Sequence, residues 1–150
     1  MKNTDIILKS KIYNDYLNEL EYLERDRFFC RHNYEHFVSV ARICYILKLE
    51  EDVDVDKDMI YSTALLHDLG RVLEIKEGIN HAIASVDLAR EILKLTDFSK
   101  EEFDLITAQD KDQWITEIES HTELFNKLGD RLPQALKERQ EALLNAVKNH

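Results

Sequence analysis

The adjacent residues His67 and Asp68 are the part of this sequence with the clearest capacity for chemistry. They lie in the run ALLHDLGR, directly after a fully apolar stretch. A carboxylate is costly to bury without a partner, and both side chains are strong metal ligands. The pair therefore predicts a metal site.

Four further candidate ligands are spread along the chain. His36 lies upstream, near the start of a helix-like segment, and three others lie downstream near predicted helix ends: His81, His121 and Asp130. A helical bundle takes its metal ligands from inward-facing positions on several helices, so ligands distant in sequence can be close in space. Together these residues are enough for one or two metal ions.

The chemistry that such a site favours is hydrolysis. A divalent metal lowers the pKa of bound water from about 15.7 toward about 7 and polarises a phosphoryl oxygen. We expect Asp68, as a ligand or as a bridge between two ions, to orient that water and to accept its proton. Mixed histidine and aspartate ligation suits iron, manganese, zinc, nickel and cobalt alike, and the sequence does not distinguish among them.

The elements that must position these residues are predicted to be helices. Hydrophobic residues make up 44% of the chain and charged residues 33%, while Gly counts 3 and Pro 1, so the residues that punctuate strands and tight turns are scarce. A chain of 150 residues is long enough to bury a core and is most simply one domain. We expect an all-α protein with five to seven helices.

Apolar periodicity and capping residues give the expected helix bounds. An amphipathic helix is predicted over residues 5–24, and a second follows the N-cap Asn33 as far as residue 49. Its inward stripe should include Phe37, Ala41, Cys44 and Leu47. Residues 50–58 form an acidic loop that holds a cap at Asp54 or Asp56.

The later helices are predicted in the same way. A helix that starts after the acidic loop should end at Gly70, with His67 on its buried face in the last turn. Asn80 caps a helix that reaches residue 95 and has His81 at its first position. Ser99 and Glu102 form a capping box before a long segment that runs toward His121, and a final helix follows Pro133 with Leu136 facing inward.

Charge, cysteines and the N-terminus exclude several classes of protein. The formal charge of −10 argues against a nucleic-acid duplex as partner, because such binding relies on clustered Lys and Arg. Cys30 and Cys44 fit neither a CxxC site nor a disulfide scaffold, so we expect reduced, buried thiols. The N-terminal apolar run is far too short for a signal peptide or a membrane span, which predicts a cytoplasmic protein with no membrane partner. We expect His150 to lie in a disordered terminus.

The sequence around the candidate ligands resembles the HD-domain phosphohydrolase superfamily, whose motif is a histidine, a His-Asp pair and a later aspartate. The resemblance rests on HFVSVARICYIL, ALLHDLGR and NHAIASVDLAREIL, and it is strong over residues 31–95. It implies a single HD domain over residues 1–150, with a motif-bearing core of about residues 31–130 and flanking helices at both ends. The implied fold is a helical bundle.

The resemblance assigns roles to the candidate ligands. The first histidine of the motif corresponds to His36, and the pair corresponds to His67 and Asp68. Members with two metals add two histidines, for which His81 and His121 stand in suitable order. The alternative for His81 is a first-turn residue that faces solvent, but its order in the motif favours a ligand. The closing aspartate corresponds to Asp130 in LGDRL.

The C-terminal third departs from the family pattern. Asp130 is therefore either a ligand or a helix cap, and His121 is either a ligand or a surface histidine. We interpret Asp130 as a ligand because a closing carboxylate is needed.

Three more residues are candidates for contact with a phosphorylated substrate. Arg71 follows Gly70 where many relatives have lysine, and it should bind phosphate without transferring protons. The alternative is that Arg71 is a cation at a helix C-terminus and only stabilises the helix dipole. Arg31 is a second candidate for the same contact. His32 lies four residues before His36, but the Asn33 cap would place it outside the helix, so we expect it to support a ligand or touch the substrate.

These observations predict a metal-dependent phosphohydrolase that acts on a nucleotide or another small phosphate ester, with Asp68 and Arg71 as the catalytic pair. The alternative is a catalytically silent HD fold that serves as a metal-stabilised binding or interaction module. Metal-dependent hydrolysis of a simple phosphate ester separates the two. The sequence does not fix the oligomeric state.

Overall fold

The computed structural model describes residues 1–108 and 110–149, so that His150 lies outside the described residues. The protein is all-α, and no β-strand occurs in the described ranges. Nine α-helices and one short 3-10 turn follow one another in these ranges: α1 Lys2–Lys9, α2 Lys11–Leu23, α3 Tyr34–Glu50, α4 Lys57–Leu66, α5 Arg71–Glu77, α6 His81–Leu93, α7 Lys100–Ile106, α8 Lys111–Leu128, the 3-10 turn Gly129–Arg131, and α9 Gln134–Asn149. No described helix is both long enough and apolar enough to cross a bilayer.

The helices form two compact units. The first unit, Met1–Thr107, contains α1 to α7, and the second begins at Ala108 and contains α8, the 3-10 turn and α9. In the second unit α8 and α9 pack against each other, with Ile118 buried in α8. A single HD domain over the whole chain stays a prediction.

The core of the first unit is built from the apolar faces that the sequence pattern indicated. Ile7, Tyr13 and Leu20 are fully buried in the N-terminal helices, as expected for an amphipathic segment. They join residues between the start of α3 and the end of α6 in one cluster, whose other fully buried members are Phe37, Leu69, Val72, Ile92 and Leu93. This cluster holds the elements that carry His36, Asp68 and His81.

The caps predicted from the sequence are confirmed at four helices. Asn33 accepts a hydrogen bond from the backbone N–H of His36 at 2.9 Å. Asp56 caps α4 by accepting a hydrogen bond from the backbone N–H of Asp58. Asn80 caps α6, and Ser99 and Glu102 form the capping box of α7. Because a cap fixes where a helix begins, His81 is the first residue of its helix, as predicted.

Two predicted helices are each broken in two, which adds helices to the expected number. The segment over residues 5–24 is interrupted at Ser10, where the backbone is extended. The Ser10 side chain caps α2 by accepting a hydrogen bond from the N–H of Tyr13. The long segment after Ser99 ends at Ile106, and α8 restarts after Asp110, which accepts from the N–H of Gln113. Ser and Asp favour such breaks because their oxygens compete for backbone N–H groups.

The expected end of a helix at Gly70 was wrong. Helix α4 ends at Leu66, with His67 as its C-cap, and Gly70 precedes the short helix α5 with a right-handed φ of −66°. What the position requires is space, because a Cβ there would lie 2.3 Å from the backbone nitrogen of Ser85 and 2.5 Å from the carbonyl oxygen of His81. The close approach brings the start of α5 against α6.

Several residues expected inside are exposed. Cys30 and Cys44 are both exposed, so their thiols are not buried. Leu47 and Leu136 are 46% and 47% exposed, which leaves the C-terminal half of α3 and the start of α9 with apolar side chains at the surface. His67 lies at the edge of the core with its side chain 32% exposed. An apolar stripe thus predicts where a helix forms, but it does not predict which part of that helix is buried against other helices.

Asp58 holds the start of α1 against α4. Its carboxylate accepts hydrogen bonds from the backbone N–H groups of Asn3 and Thr4, both at 2.8 Å, and from the Thr4 hydroxyl. Met1 provides no side-chain cap for α1, so Asp58 supplies one from a distant part of the chain. Burial raises the pKa of Asp58, but the hydrogen bonds from Thr4 and Asn3 outweigh burial and hold the pKa below its usual value.

We expect Asp58→Asn to lower the free energy of unfolding at neutral pH by about 1–2 kcal/mol, because the amide keeps only one of the two accepting oxygens and loses the charge that strengthens these hydrogen bonds. Since the folded-state pKa is lowered, the charged cap stabilises the protein above the unfolded-state value of about 4, and this stabilisation is lost as the pH falls through the folded-state pKa. The difference between wild type and variant should therefore shrink in acid. Urea unfolding over a pH series measures it, with Asp15→Asn on the exposed face of α2 as control. A difference that is constant with pH would contradict the assignment.

We also expect Gly70→Ala to destabilise the protein by about 3 kcal/mol, the upper end of ordinary overpacking costs, because the added Cβ would meet backbone atoms that cannot rotate away. Gly78→Ala is the matched control. At Gly78 nothing lies within 4 Å of the added Cβ, and only the positive φ of 74° adds a cost of about 1–2 kcal/mol. Equal losses of stability in denaturant unfolding would argue against the close approach.

Candidate metal centre

The centre of the site is Asp68, which faces the Nε2 atoms of three imidazoles. Asp68 Oδ2 lies 3.2 Å from His67 Nε2 and 3.4 Å from His32 Nε2. Asp68 Oδ1 lies 3.8 Å from His81 Nε2. Burial raises the pKa of Asp68, but the hydrogen bond from His67 and the charges of the three histidines outweigh burial and bring the pKa to about 2. The carboxylate is therefore ionised throughout the neutral range.

His32, His36 and Asp68 form a group that could hold a metal ion. Each offers one ligand atom, and these atoms all lie within 4.8 Å of one another. Two imidazoles and a carboxylate are a donor set that suits divalent transition metals. The side chains present therefore fit the ion that the ligand pattern predicted.

His36 is placed by the first turn of α3. Its backbone N–H is held by the Asn33 cap, and its ring lies 4.9 Å from the ring of His32 and 5.7 Å from the ring of His67, measured between centroids. Burial lowers the pKa of His36, and the neighbouring imidazoles of His32 and His67 lower it further. The neutral ring that results is the form that binds a metal.

His67 is held by its own helix and by its neighbour in sequence. Its Nδ1 atom lies 2.7 Å from the carbonyl oxygen of Ala64, so this nitrogen carries a proton, and the ring donates to Asp68 through Nε2 when both nitrogens are protonated. Burial lowers the pKa of His67, but the hydrogen bonds to Asp68 and Ala64 outweigh burial and raise it above the usual value. His67 contacts Asp68, but it lies outside the group formed by His32, His36 and Asp68.

His32 precedes α3, and its role as a support for a ligand or as a substrate contact stays a prediction. Asn33 does cap α3, and His32 does lie outside the helix, yet its side chain is buried and within reach of Asp68. Two residues before His32, the backbone of Cys30 has a positive φ of 43°. The HxxxH spacing of His32 and His36 was the signal that pointed to this pair.

Two carboxylates that the sequence did not single out lie behind the histidines. Glu24, at the end of α2, is 3% exposed and contacts His32 Nδ1 at 2.9 Å. Glu74, in α5, contacts His81 Nδ1 at 3.0 Å. Burial raises the pKa of each, but the hydrogen bonds from its histidine outweigh burial and lower it.

Arg71 lies between these two carboxylates. Its Nε atom donates to Glu24 Oε1 at 3.1 Å, and its Nη1 atom lies 3.4 Å from Glu74 Oε2. Only 17% of the Arg71 side chain is exposed. Arg31 is exposed and lines, with Glu24, Arg25 and His32, a depression of about 220 Å³ beside the site. Contact of Arg31, His32 or Arg71 with a substrate stays a prediction.

The remaining predicted ligands belong to the second unit. His121, in α8, has a side chain that is 46% exposed and lies 3.7 Å from Glu117. Asp130 is exposed within the 3-10 turn. Their roles as ligands stay predictions, and so does the number of ions.

Comparison with known proteins agrees with the geometry. A family model described as HD domain matches residues 33–147, which is more than half of the chain. The chain therefore belongs to the HD domain family, whose members are in general metal-dependent hydrolases that bind divalent metals.

A protein of Clostridium beijerinckii described as uncharacterized is similar to this chain. The two are 40% identical over 106 residues, which cover 71% of this chain and 68% of the relative. No solved structure matches the chain.

We expect the metal-free protein to melt at a higher temperature when a divalent transition metal is added. At an ion concentration of about 100 times the Kd, the stabilisation is about 2.7 kcal/mol, or about 5–11 °C for a chain of this size. His36→Ala should abolish this shift and the metal content found by elemental analysis. Asp87→Asn, on the exposed face of α6, should change neither. A shift that survives in His36→Ala would reject His36 as a ligand.

Proposed function

We propose that this protein is a metal-dependent phosphohydrolase that acts on a nucleotide or another small phosphate ester. The observation that carries the proposal is the ionised Asp68 carboxylate, which three imidazole nitrogens face within 3.8 Å. His32, His36 and Asp68 are the proposed ligands of one divalent ion, with His67 and His81 beside them. Membership in the HD family supports the same chemistry.

A divalent metal, when bound, supplies the Lewis acidity that makes water a nucleophile near neutral pH. The protein's own residues supply charge, position and proton transfer. Asp68 stays ionised because of the surrounding histidines, so it can orient the attacking water and accept its proton. Its Oδ2 atom faces His32 and His67 and its Oδ1 atom faces His81, so both oxygens would be available to hold a divalent metal.

The substrate is proposed to be small and phosphorylated. The formal charge of −10 opposes binding along a nucleic-acid backbone, whereas a small phosphate ester needs only local positive charge. Arg25 and Arg31 line the depression beside His32 and could supply that charge. In this proposal Arg71 contributes to phosphate binding through the donors that Glu24 and Glu74 do not occupy.

One observation favours a second candidate, a catalytically silent HD domain that serves as a metal-stabilised binding module. The positive charge of Arg71 is already opposed by two carboxylates, Glu24 and Glu74. An arginine held in this way has less charge to offer a phosphate group. Such a protein would bind metal and would not turn over phosphate esters.

We expect Asp68→Asn to lower kcat for a metal-dependent phosphate-ester hydrolysis by about 10²- to 10⁴-fold, the range for loss of a general base. The amide keeps the shape of the carboxylate but cannot accept the proton. Activity should be measured with each candidate metal against p-nitrophenyl phosphate and a panel of nucleotides, and circular dichroism should show an unchanged helix content.

Asp87→Asn is the matched control, since it removes one carboxylate from the exposed face of α6. Full turnover in Asp68→Asn would overturn the mechanism. A wild-type protein that binds metal but hydrolyses none of these esters would favour the binding module.

A further inference from the structure

A chain of charged contacts connects two histidines on opposite sides of Asp68. It runs from His32 to Glu24, from Glu24 to Arg71, from Arg71 to Glu74, and from Glu74 to His81. Both histidines are thus bound through Nδ1 to a carboxylate, and both carboxylates contact the same guanidinium. The two Nε2 atoms then face the two different oxygens of Asp68.

The contacts of Glu24 determine which atom of His32 carries a proton. Glu24 is buried and accepts hydrogen bonds from the guanidinium groups of Arg27 and Arg71, at 3.0 and 3.1 Å, and from the backbone N–H of His32 at 2.7 Å. A carboxylate with two such cations is ionised and can only accept. The His32 Nδ1 atom, 2.9 Å away, must therefore be the donor. In a neutral ring, Nε2 then carries an electron pair and no proton.

Glu74 makes the corresponding arrangement on the other side. Its Oε1 atom lies 3.0 Å from His81 Nδ1, and its Oε2 atom lies 3.4 Å from Arg71 Nη1. A neutral His81 therefore also presents an unprotonated Nε2 atom. Facing the ionised Asp68, such an atom would be repelled unless a cation lies between them, and the separations of 3.4 and 3.8 Å are longer than ordinary N–H···O hydrogen bonds.

We propose that Glu24 and Glu74, joined by Arg71, are positioning residues that fix His32 and His81 in the Nδ1–H tautomer, with Nε2 of each ring turned toward Asp68 and free to bind metal. The proposal rests on the metal centre proposed above. Carboxylates behind metal-binding histidines fix ring orientation and raise ligand basicity, and their loss lowers metal affinity by about 10- to 100-fold. Glu24 and His32 both lie before the range that the family model matches.

The first test is the protonation pattern of the wild-type protein. Nitrogen-15 NMR of the histidine rings in the zinc-loaded protein should show a proton on Nδ1 and none on Nε2 for both His32 and His81. A proton on Nε2 of His32 overturns the proposal, and this measurement needs no variant. A wild-type protein that binds no zinc or other divalent ion overturns the metal centre together with the role of Glu24.

The second test is the metal affinity of Glu24→Gln, measured by competition with a chromophoric chelator. We expect the Kd to rise by about 10- to 100-fold. Glu19→Gln is the matched control, because it removes the same charge from α2, five residues before Glu24, at a half-exposed position that pairs with Lys76, and its Kd should equal that of the wild type. An unchanged Kd in a folded Glu24→Gln protein overturns the positioning role.

The third test concerns His81 and the link through Arg71. Glu74→Gln should raise the Kd, with the exposed Glu77→Gln as control on the same helix. The effects of Glu24→Gln and Glu74→Gln should be non-additive in the wild-type background and additive when Arg71 is replaced by methionine. Additive effects with Arg71 present would overturn the link. Absence of phosphate-ester hydrolysis would overturn only the proposed function, since none of these measurements uses turnover.

Discussion

The ionised carboxylate of Asp68 is the constraint on which the rest of the site depends. It is only 17% exposed, and a charged carboxylate in such a position requires compensation. His67, at the end of α4, donates to this carboxylate, and His32 before α3 and His81 at the start of α6 face its two oxygens, where a bound metal ion would balance the charge. Each lies at or beyond the end of a helix, where the backbone can bring the ring toward a common point.

The positions of those helix ends follow from packing at Gly70. The N–H of Gly70 donates to Ser85 Oγ at 2.9 Å, and the backbone of α6 passes so close that no side chain could be placed between them. Asp68 and Arg71 therefore lie next to the first turn of α6, where Asn80 caps the helix by accepting from the N–H of Ala82. A glycine that the sequence suggested as a helix stop instead determines the distance between two parts of the metal centre.

The sequence predicted the fold and the central residues because both leave local signals. Residue type and spacing predict the helix caps at Asn33, Asp56, Asn80 and Ser99. The His67-Asp68 pair stands out because two polar metal ligands follow an apolar run. Breaks at Ser10 and near residue 107 were missed, because Ser10 and Asp110 are polar residues within longer predicted segments, and only the structure shows that their side chains cap the following helix.

The carboxylates behind the histidines leave no such signal. Glu24 lies eight residues before His32, and Glu74 seven before His81, in a chain that is rich in acidic residues. In the sequence each resembles an ordinary solvated charge at a helix end. Only the tertiary structure shows that Glu24 is buried and that one arginine contacts both.

The need to contact two carboxylates also gives a physical reason for arginine at position 71, where the family resemblance implies lysine in many relatives. Glu24 and Glu74 belong to different helices, and Arg71 reaches them with different nitrogens, Nε and Nη1. A planar guanidinium presents donors in several fixed directions, whereas an ammonium is a compact point charge on a flexible stem. Lysine could neutralise one of the two carboxylates well, but it could not hold both in a fixed relation to each other. The arginine therefore suits a site in which two histidines must keep their orientation on either side of one aspartate.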